Sequence, residues 1–233
     1  MTDPERHEAT RRMVITQSIL GGCARVLFDW PYLRRVRGLE RLRPEEKYLF
    51  IANHVSLLDT ILLGGLFWQR GCYPILVLGD KTVWHASWLK RVLSSRIGFL
   101  VERGKLNLSR IDELQTFGRS SLQFNLVVYP EGTRGNGVDI GPCQPGLYYI
   151  AQAARVPIVP VFIENMQLVS TKKGGFHPIG GLRKVEVYFG EPIAATTYLP
   201  LPREEFVKFI RENIAALRPT QSTAHLNLVA PQV

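Results

Sequence analysis

The chain has 233 residues, 45% hydrophobic and 21% charged, with a mean hydropathy near zero, an ordinary composition for one globular domain with a substantial core. The 29 Lys and Arg exceed the 20 Asp and Glu, leaving a net charge of +9. This predicts an acidic partner: an anionic membrane surface, a phosphorylated substrate, an acidic carrier protein or nucleic acid. Cys23, Cys72 and Cys143 are odd in number and far apart, which excludes a disulfide framework and a zinc spacing and fits a reducing, cytoplasmic setting. The polar first dozen residues and the lack of a small-residue cleavage site after the first apolar run argue against a secretory signal.

A helix is predicted over residues 11–28. Its apolar run from Met13 to Phe28 is broken by Gln17, Ser18 and Arg25, and falls short of the roughly 20 residues of a membrane span. Ile15, Ile19, Gly22 or Cys23, and Val26 recur at helical spacing, followed by Trp30 and Tyr32 and then Arg34, Arg35, Arg37, Arg41 and Arg43. An apolar stripe, an aromatic pair and an arginine cluster suit an amphipathic helix lying in a lipid interface. An amphipathic helix packed on a sheet, with a solvated basic turn after it, fits the same residues. The expected organisation is an interface helix and basic turn over residues 1–44, a catalytic domain over 45–218 and a loose tail over 219–233. Removing residues 1–30 is expected to leave the sheet folded.

Strands are then predicted at 48–52, 75–78, 99–101, 126–129, 158–163 and 185–189, and helices at 57–69, 84–95, 108–121, 146–154 and 203–217. Strands that are nearly continuous in apolar residues and alternate with helices predict an α/β fold with a mostly parallel central sheet covered by helices. Residues 170–184 carry four glycines and read as a long loop, a kind of segment that is often functional.

The chemistry concentrates at two strand ends. In "IANHVSLLDTILL", residues 51–63, His54, Ser56 and Asp59 separate a strand from a helix. Ser56 and Asp59 match a helix-capping box, which accounts for both but leaves His54 without a role. The other reading folds His54 back over the first helical turn, where a carboxylate would hold one imidazole nitrogen and leave the other as a base. In "VVYPEGTRGNG", residues 127–137, a strand runs into Pro130, Glu131, Gly132, Thr133 and Arg134. A solvated turn fits these residues. So does a ligand site at the carboxyl edge of a parallel sheet, with Arg134 offering a planar fork to phosphate.

Asn53-His54 with Asp59, "IGFLVERG" ending in Arg103, Pro130 to Arg134, and "VPIVPV" over 156–161 appear in the order found in the glycerolipid acyltransferases. The chain resembles that family, the 1-acylglycerol-3-phosphate and lysophospholipid acyltransferases, over roughly residues 45–195. The resemblance implies transfer of a fatty acyl group from acyl-CoA or acyl carrier protein to the free hydroxyl of a lysophospholipid, with 1-acylglycerol-3-phosphate first among acceptors. It implies His54 as general base and Asp59 as its orienting partner, with backbone amides near the helix start for the oxyanion. Arg103, Glu131, Gly132, Thr133 and Arg134 would bind the acceptor, and Pro157 and Pro160 would shape the acyl-chain side. No metal or cofactor is implied, no nucleic acid is expected, and the place of work is the cytoplasmic face of a membrane, peripheral or monotopic.

Departures from the family pattern fall at three places. Gly98 sits one residue closer to its arginine than usual, with Leu100 and Val101 in place of Phe-Ile. Gly135 stands where a serine is usual, and Cys143-Gln144-Pro145-Gly146 replaces a Phe-Lys-x-Gly. These changes fall around acceptor binding. The alternatives are an acyltransferase acting on a different lyso-lipid acceptor and a lipid-binding membrane-surface protein without catalysis, which would need neither His54 nor Asp59. A hydrolase with Ser56 as nucleophile lacks a Gly-x-Ser-x-Gly setting, and a nucleic-acid binder lacks a recognisable module. The remaining residues singled out, Lys81, His85, Trp84 and Trp88, read as surface or core positions.

Overall fold

A computed structural model describes residues 3–80, 98–101, 112, 114–116, 124–171 and 175–219. The helix expected at 84–95, Arg103, Lys81 and His85 lie outside the described residues, as does most of the helix expected at 108–121, of which Asp112 and residues 114–116 are helical. So does nearly all of the expected tail.

Among the described residues seven strands form one sheet: β1 (Leu33–Arg37), β2 (Leu49–Ala52), β3 (Ile75–Asp80), β4 (Gly98–Val101), β5 (Asn125–Val128), β6 (Ile158–Glu164) and β7 (Val185–Phe189). Their order is β1-β7-β6-β2-β5-β3-β4, and every pairing is parallel except that of β6 with β7. Every residue of β2, β5 and β7 is buried, the expected result for strands covered on both faces. Alternation along β2 divides the core. Tyr48, Phe50 and Ala52 face helix α2 (Leu57–Arg70) through Leu62, Leu66 and Phe67. Leu49 and Ile51 face α3 (Gly146–Ala154) and α4 (Arg203–Ala216) through Leu147, Ile150, Phe206 and Ile210.

The basic turn expected after the first helix is instead the edge strand β1, paired in parallel with β7. Arg34, Arg35 and Arg37 point outward from it while Leu33 is buried, so the solvent-side charges that suggest a turn also mark a protected sheet edge. Arg34 and Arg35 reach Glu186 of β7 at 3.5 and 3.7 Å. The boundary drawn at residue 44 therefore passes between two strands of one sheet.

Helix α1 (Asp3–Ala24) continues through a π-helical turn at Arg25–Asp29 into a short helical turn at Trp30–Tyr32. It packs along α2, with glycines at the seam: a Cβ on Gly21 would lie 2.5 Å from Trp68 Cβ. Gln17 clasps the first residue of β3, donating to Ile75 O at 2.8 Å and accepting from Ile75 N at 2.7 Å. Phe28, Asp29 and Tyr32 are buried. These contacts make α1 part of the folded unit and weigh against the expectation that residues 1–30 are dispensable for the sheet. Its other face exposes Ile15, Ile19, Val26, Leu27 and Trp30. No helix among the described residues is long and apolar enough to cross a membrane.

Candidate active site

β2 and β5 are adjacent and parallel, so the turns after them emerge side by side at the carboxyl edge of the sheet. After β2, Asn53 clamps the turn to β6, donating to Ile163 O at 2.9 Å and accepting from Ile163 N at 2.7 Å. Ser56 then caps α2, its Oγ accepting from Leu58 N at 3.0 Å, and Asp59 answers from the third helical position. Both readings of the opening motif meet in this geometry. Asp59 Oδ2 accepts from Val55 N at 2.6 Å and Ser56 N at 2.9 Å, and also lies 2.8 Å from His54 Nδ1. One carboxylate completes the cap and holds the imidazole. Asp59 is fully buried, and these donors satisfy its Oδ2 where water does not reach. With Nδ1 committed, Nε2 is the nitrogen left to take a proton from a substrate.

The imidazole is also fixed on its face and at its backbone. Its ring stacks on Tyr129, centroids 4.0 Å apart and 18° from parallel. Tyr129 Oη meets Thr60 Oγ1 at 2.8 Å, one residue beyond Asp59. Burial, with the Asp59 charge adding to it, pushes the Tyr129 hydroxyl up, so it stays a neutral phenol. Glu131 accepts from His54 N at 3.1 Å through Oε1 and from Gly141 N at 3.1 Å through Oε2. Gly135 N donates to His54 O at 2.6 Å. The turn after β5 is thereby laced onto the turn after β2.

The other residues of the expected site lie around this arrangement. Glu131 is buried and spans two backbone amides, so its carboxylate serves the framework of the site. Gly132 takes a left-handed φ of 63°, and a Cβ there would come within 3.0 Å of Gln144 Cγ. Thr133 and Arg134 are exposed on the same turn. Pro160 is buried in β6 opposite Ile51, and Pro157 O accepts from Leu49 N at 2.9 Å. Pro160 thus lies within the sheet and Pro157 directly precedes β6. Ser56 is buried with its hydroxyl oxygen engaged as a cap, a setting that argues against Ser56 as the nucleophile of a hydrolase. Among the turn's amides, those of Val55, Ser56, Leu58 and Asp59 already donate within the protein, leaving Leu57 N at the helix start to receive an oxyanion.

The sequence profile of the Acyltransferase family matches residues 33–164, a segment running from β1 to the end of β6 and holding His54, Asp59 and Glu131. The chain belongs to the acyltransferase family. It is 34% identical over 149 residues to the 1-acyl-sn-glycerol-3-phosphate acyltransferase of Saccharomyces cerevisiae, covering 61% of this chain and 47% of that one. It is 30% identical over 200 residues to a human 1-acyl-sn-glycerol-3-phosphate acyltransferase beta, covering 82% and 68%. The chain thus spans about half the length of the yeast relative. The crystal structure of the 1-acyl-sn-glycerophosphate acyltransferase PlsC from Thermotoga maritima has the same fold, with a TM-score of 0.66 at 18% identity over 96% of this chain and 86% of that one.

Two of this chain's departures from the family pattern have a visible setting. A Cβ on Gly135 would lie 2.7 Å from Glu131 Oε2 and 3.4 Å from His54 O, so a serine there would push on the atoms that hold the histidine. Gln144, at the place of the usual lysine, lies over the Pro130–Gly132 turn, its N donating to Pro130 O at 2.7 Å and its Nε2 to Glu131 O at 3.4 Å. Sequence reasoning missed Tyr129, Thr60 and Gly141. Tyr129 directly precedes Pro130 and was detectable as the aromatic ending the strand; Gly141 acts through its backbone and carries no such signal.

Proposed function

We propose that this chain transfers a fatty acyl group from a thioester, acyl-CoA or acyl carrier protein, to the free hydroxyl of a lysophospholipid, with 1-acylglycerol-3-phosphate as the foremost acceptor. The observation that carries it is the 2.8 Å contact between His54 Nδ1 and the buried Asp59, which fixes a base at the carboxyl edge of the sheet. His54 Nε2 takes the acceptor's hydroxyl proton as that oxygen attacks the thioester carbonyl. Asp59 holds the tautomer and stabilises the imidazolium. The negative charge developing on the carbonyl oxygen falls to Leu57 N at the positive end of α2. Collapse of the tetrahedral intermediate breaks the carbon–sulfur bond, and the imidazolium returns the proton to the departing thiolate. These steps call for no metal and no redox cofactor.

Acceptor binding falls to Arg134 and Thr133, exposed on the turn laced to His54, and to Arg103, which follows the end of β4 by two residues. A phosphate on the acceptor suits a guanidinium fork. The chain works as a peripheral or monotopic protein on the cytoplasmic face of a membrane, a reading supported by the exposed stripe of α1 and by the +9 charge. Acyl transfer measured with purified protein, across a panel of lyso-lipids and with both thioester donors, tests the proposal. Phosphate-bearing lyso-lipids should be acylated and a His54→Ala protein should not acylate them. A folded protein that acylates none of the panel, or acylates it equally well without His54, would overturn the assignment.

A further inference from the structure

Residues 175–184 form a loop that the proposed catalysis does not use. Its apolar side chains point outward: Ile179 is 81% exposed, Phe176 55% and Leu182 45%. Such exposure is common in a slack loop, but this one is fastened. At one end His177 N donates to Val169 O at 2.7 Å, and at the other Asn165 Nδ2 donates to Lys184 O at 3.1 Å. The loop's end is also pinned to the segment that follows α1. Arg183 N donates to Pro31 O at 2.9 Å, Lys184 N to Tyr32 O at 3.1 Å, and Arg183 Nη1 to Trp30 O at 3.1 Å. Phe176 meets Tyr32 edge-on, ring centroids 6.4 Å apart. Beside the loop opens a cleft of about 500 Å³ whose wall mixes the apolar Leu168, Phe176 and Ile179 with the polar Gln167, Thr171 and His177.

The pinning joins two apolar surfaces that are distant in sequence. Trp30 ends the stripe of α1, with Leu27 and Val26 exposed just before it, and the loop is bonded to that same residue. Exposed basic residues follow on both elements: Arg183 and Lys184 on the loop, and Arg34, Arg35 and Arg37 on β1. A fastened apolar surface of this kind marks an interaction site, and cations beside apolar residues match the layering of an anionic bilayer, with phosphates above acyl chains.

We propose that residues 175–184 are a second membrane-docking element, whose Phe176, Ile179 and Leu182 enter an anionic lipid interface beside Trp30. This rests on the peripheral reading above, and it adds a contact outside the N-terminal helix. The chain would then stand on the bilayer at two joined points, which sets its orientation as well as its attachment.

Sedimentation with vesicles of phosphatidylcholine and phosphatidylglycerol tests this, using the parent chain, Ile179→Asp and Trp30→Asp. Withholding one large aliphatic side chain from the interface should weaken partitioning by about tenfold, so Ile179→Asp should bind about tenfold more weakly, with an unchanged melting temperature. A second readout keeps the loop apolar: in a Cys23→Ser background, Ile179→Cys carries a polarity-sensitive dye, because Cys72 and Cys143 are buried. Its emission should shift to the blue with anionic vesicles and much less with phosphatidylcholine alone. If the parent binds but Ile179→Asp binds equally well, or the dye stays in a watery environment, the loop proposal fails while the peripheral reading stands. If the parent fails to bind and Trp30→Asp changes nothing, both fall. If Ile179→Asp instead breaks a self-associated form seen without lipid, the loop belongs to a second copy of the chain and the proposal is overturned.

Discussion

The His54 imidazole is held at Nδ1 by Asp59, on its face by Tyr129 and through its backbone by Glu131 and Gly135, so catalysis should respond to changes that never touch Nε2. His54→Ala should lower kcat by about 10²–10⁴-fold, the usual range for a general base, with little change in substrate binding. Asp59→Asn should also be severe, because an amide can favour the other tautomer, and it should cost stability as well, since the same oxygen caps α2. The double variant should be little slower than the slower single one, as expected when two residues act as one unit. Steady-state kinetics on the four proteins checks this, and additive losses would show that Asp59 acts on its own. Ser56→Ala separates the cap from the chemistry: it should cost about 0.5–2 kcal/mol of stability and leave turnover nearly unchanged.

At the scale of an element, α1 carries a buried charge problem of its own. Asp29 sits at the end of the π-helical turn, fully buried, with Arg25 Nη1 3.9 Å from Oδ2. Gly65 of α2 leaves room for the carboxylate, since a Cβ there would collide with Asp29 Oδ2. Burial pushes the Asp29 carboxyl up from 3.8 to about 8, against the weaker opposite pull of Arg25. The folded chain therefore keeps a proton that the unfolded chain releases above pH 3.8. The stabilisation is fully present below that pH and is lost as pH rises toward about 8. Melting temperatures from pH 5 to 8.5 should fall with pH in the parent, and Asp29→Asn should flatten that slope and be relatively more stable at the alkaline end. Equal slopes in the two proteins would mean that Asp29 is ionised in the fold.

At the scale of the whole molecule, the clasp of Gln17 on Ile75 and the buried Phe28 and Tyr32 tie the chain's beginning to its sheet. A chain lacking residues 1–30 should therefore melt at a lower temperature or fail to fold cooperatively, which thermal unfolding by circular dichroism would report. Six of the seven strands were legible in the sequence because buried parallel strands are written as unbroken apolar runs. β1 was not, since an edge strand pairs on one side only and its three outward arginines mimic a solvated turn. His54 and Asp59 were legible because a strand, a turn and a capped helix place them together. Glu131 was visible as a residue but not in its role, since its partners are backbone amides at residues 54 and 141.

Glu131 joins two turns whose residues stand 77 apart in sequence, and it does so through peptide groups, which any side chains can accompany. The segment from Pro130 to Gly141 is thus exchangeable in principle as a cassette. A replacement loop with other residues at 133, 134, 136, 138 and 139 would leave the histidine where it is, provided that it retained the glutamate, the glycines at 135 and 141 that make room for it, Gly137 with its left-handed φ of 77° and the buried Ile140. With Thr133 and Arg134 in their proposed role, such a graft should shift acceptor preference and leave the contact of His54 with Asp59 intact.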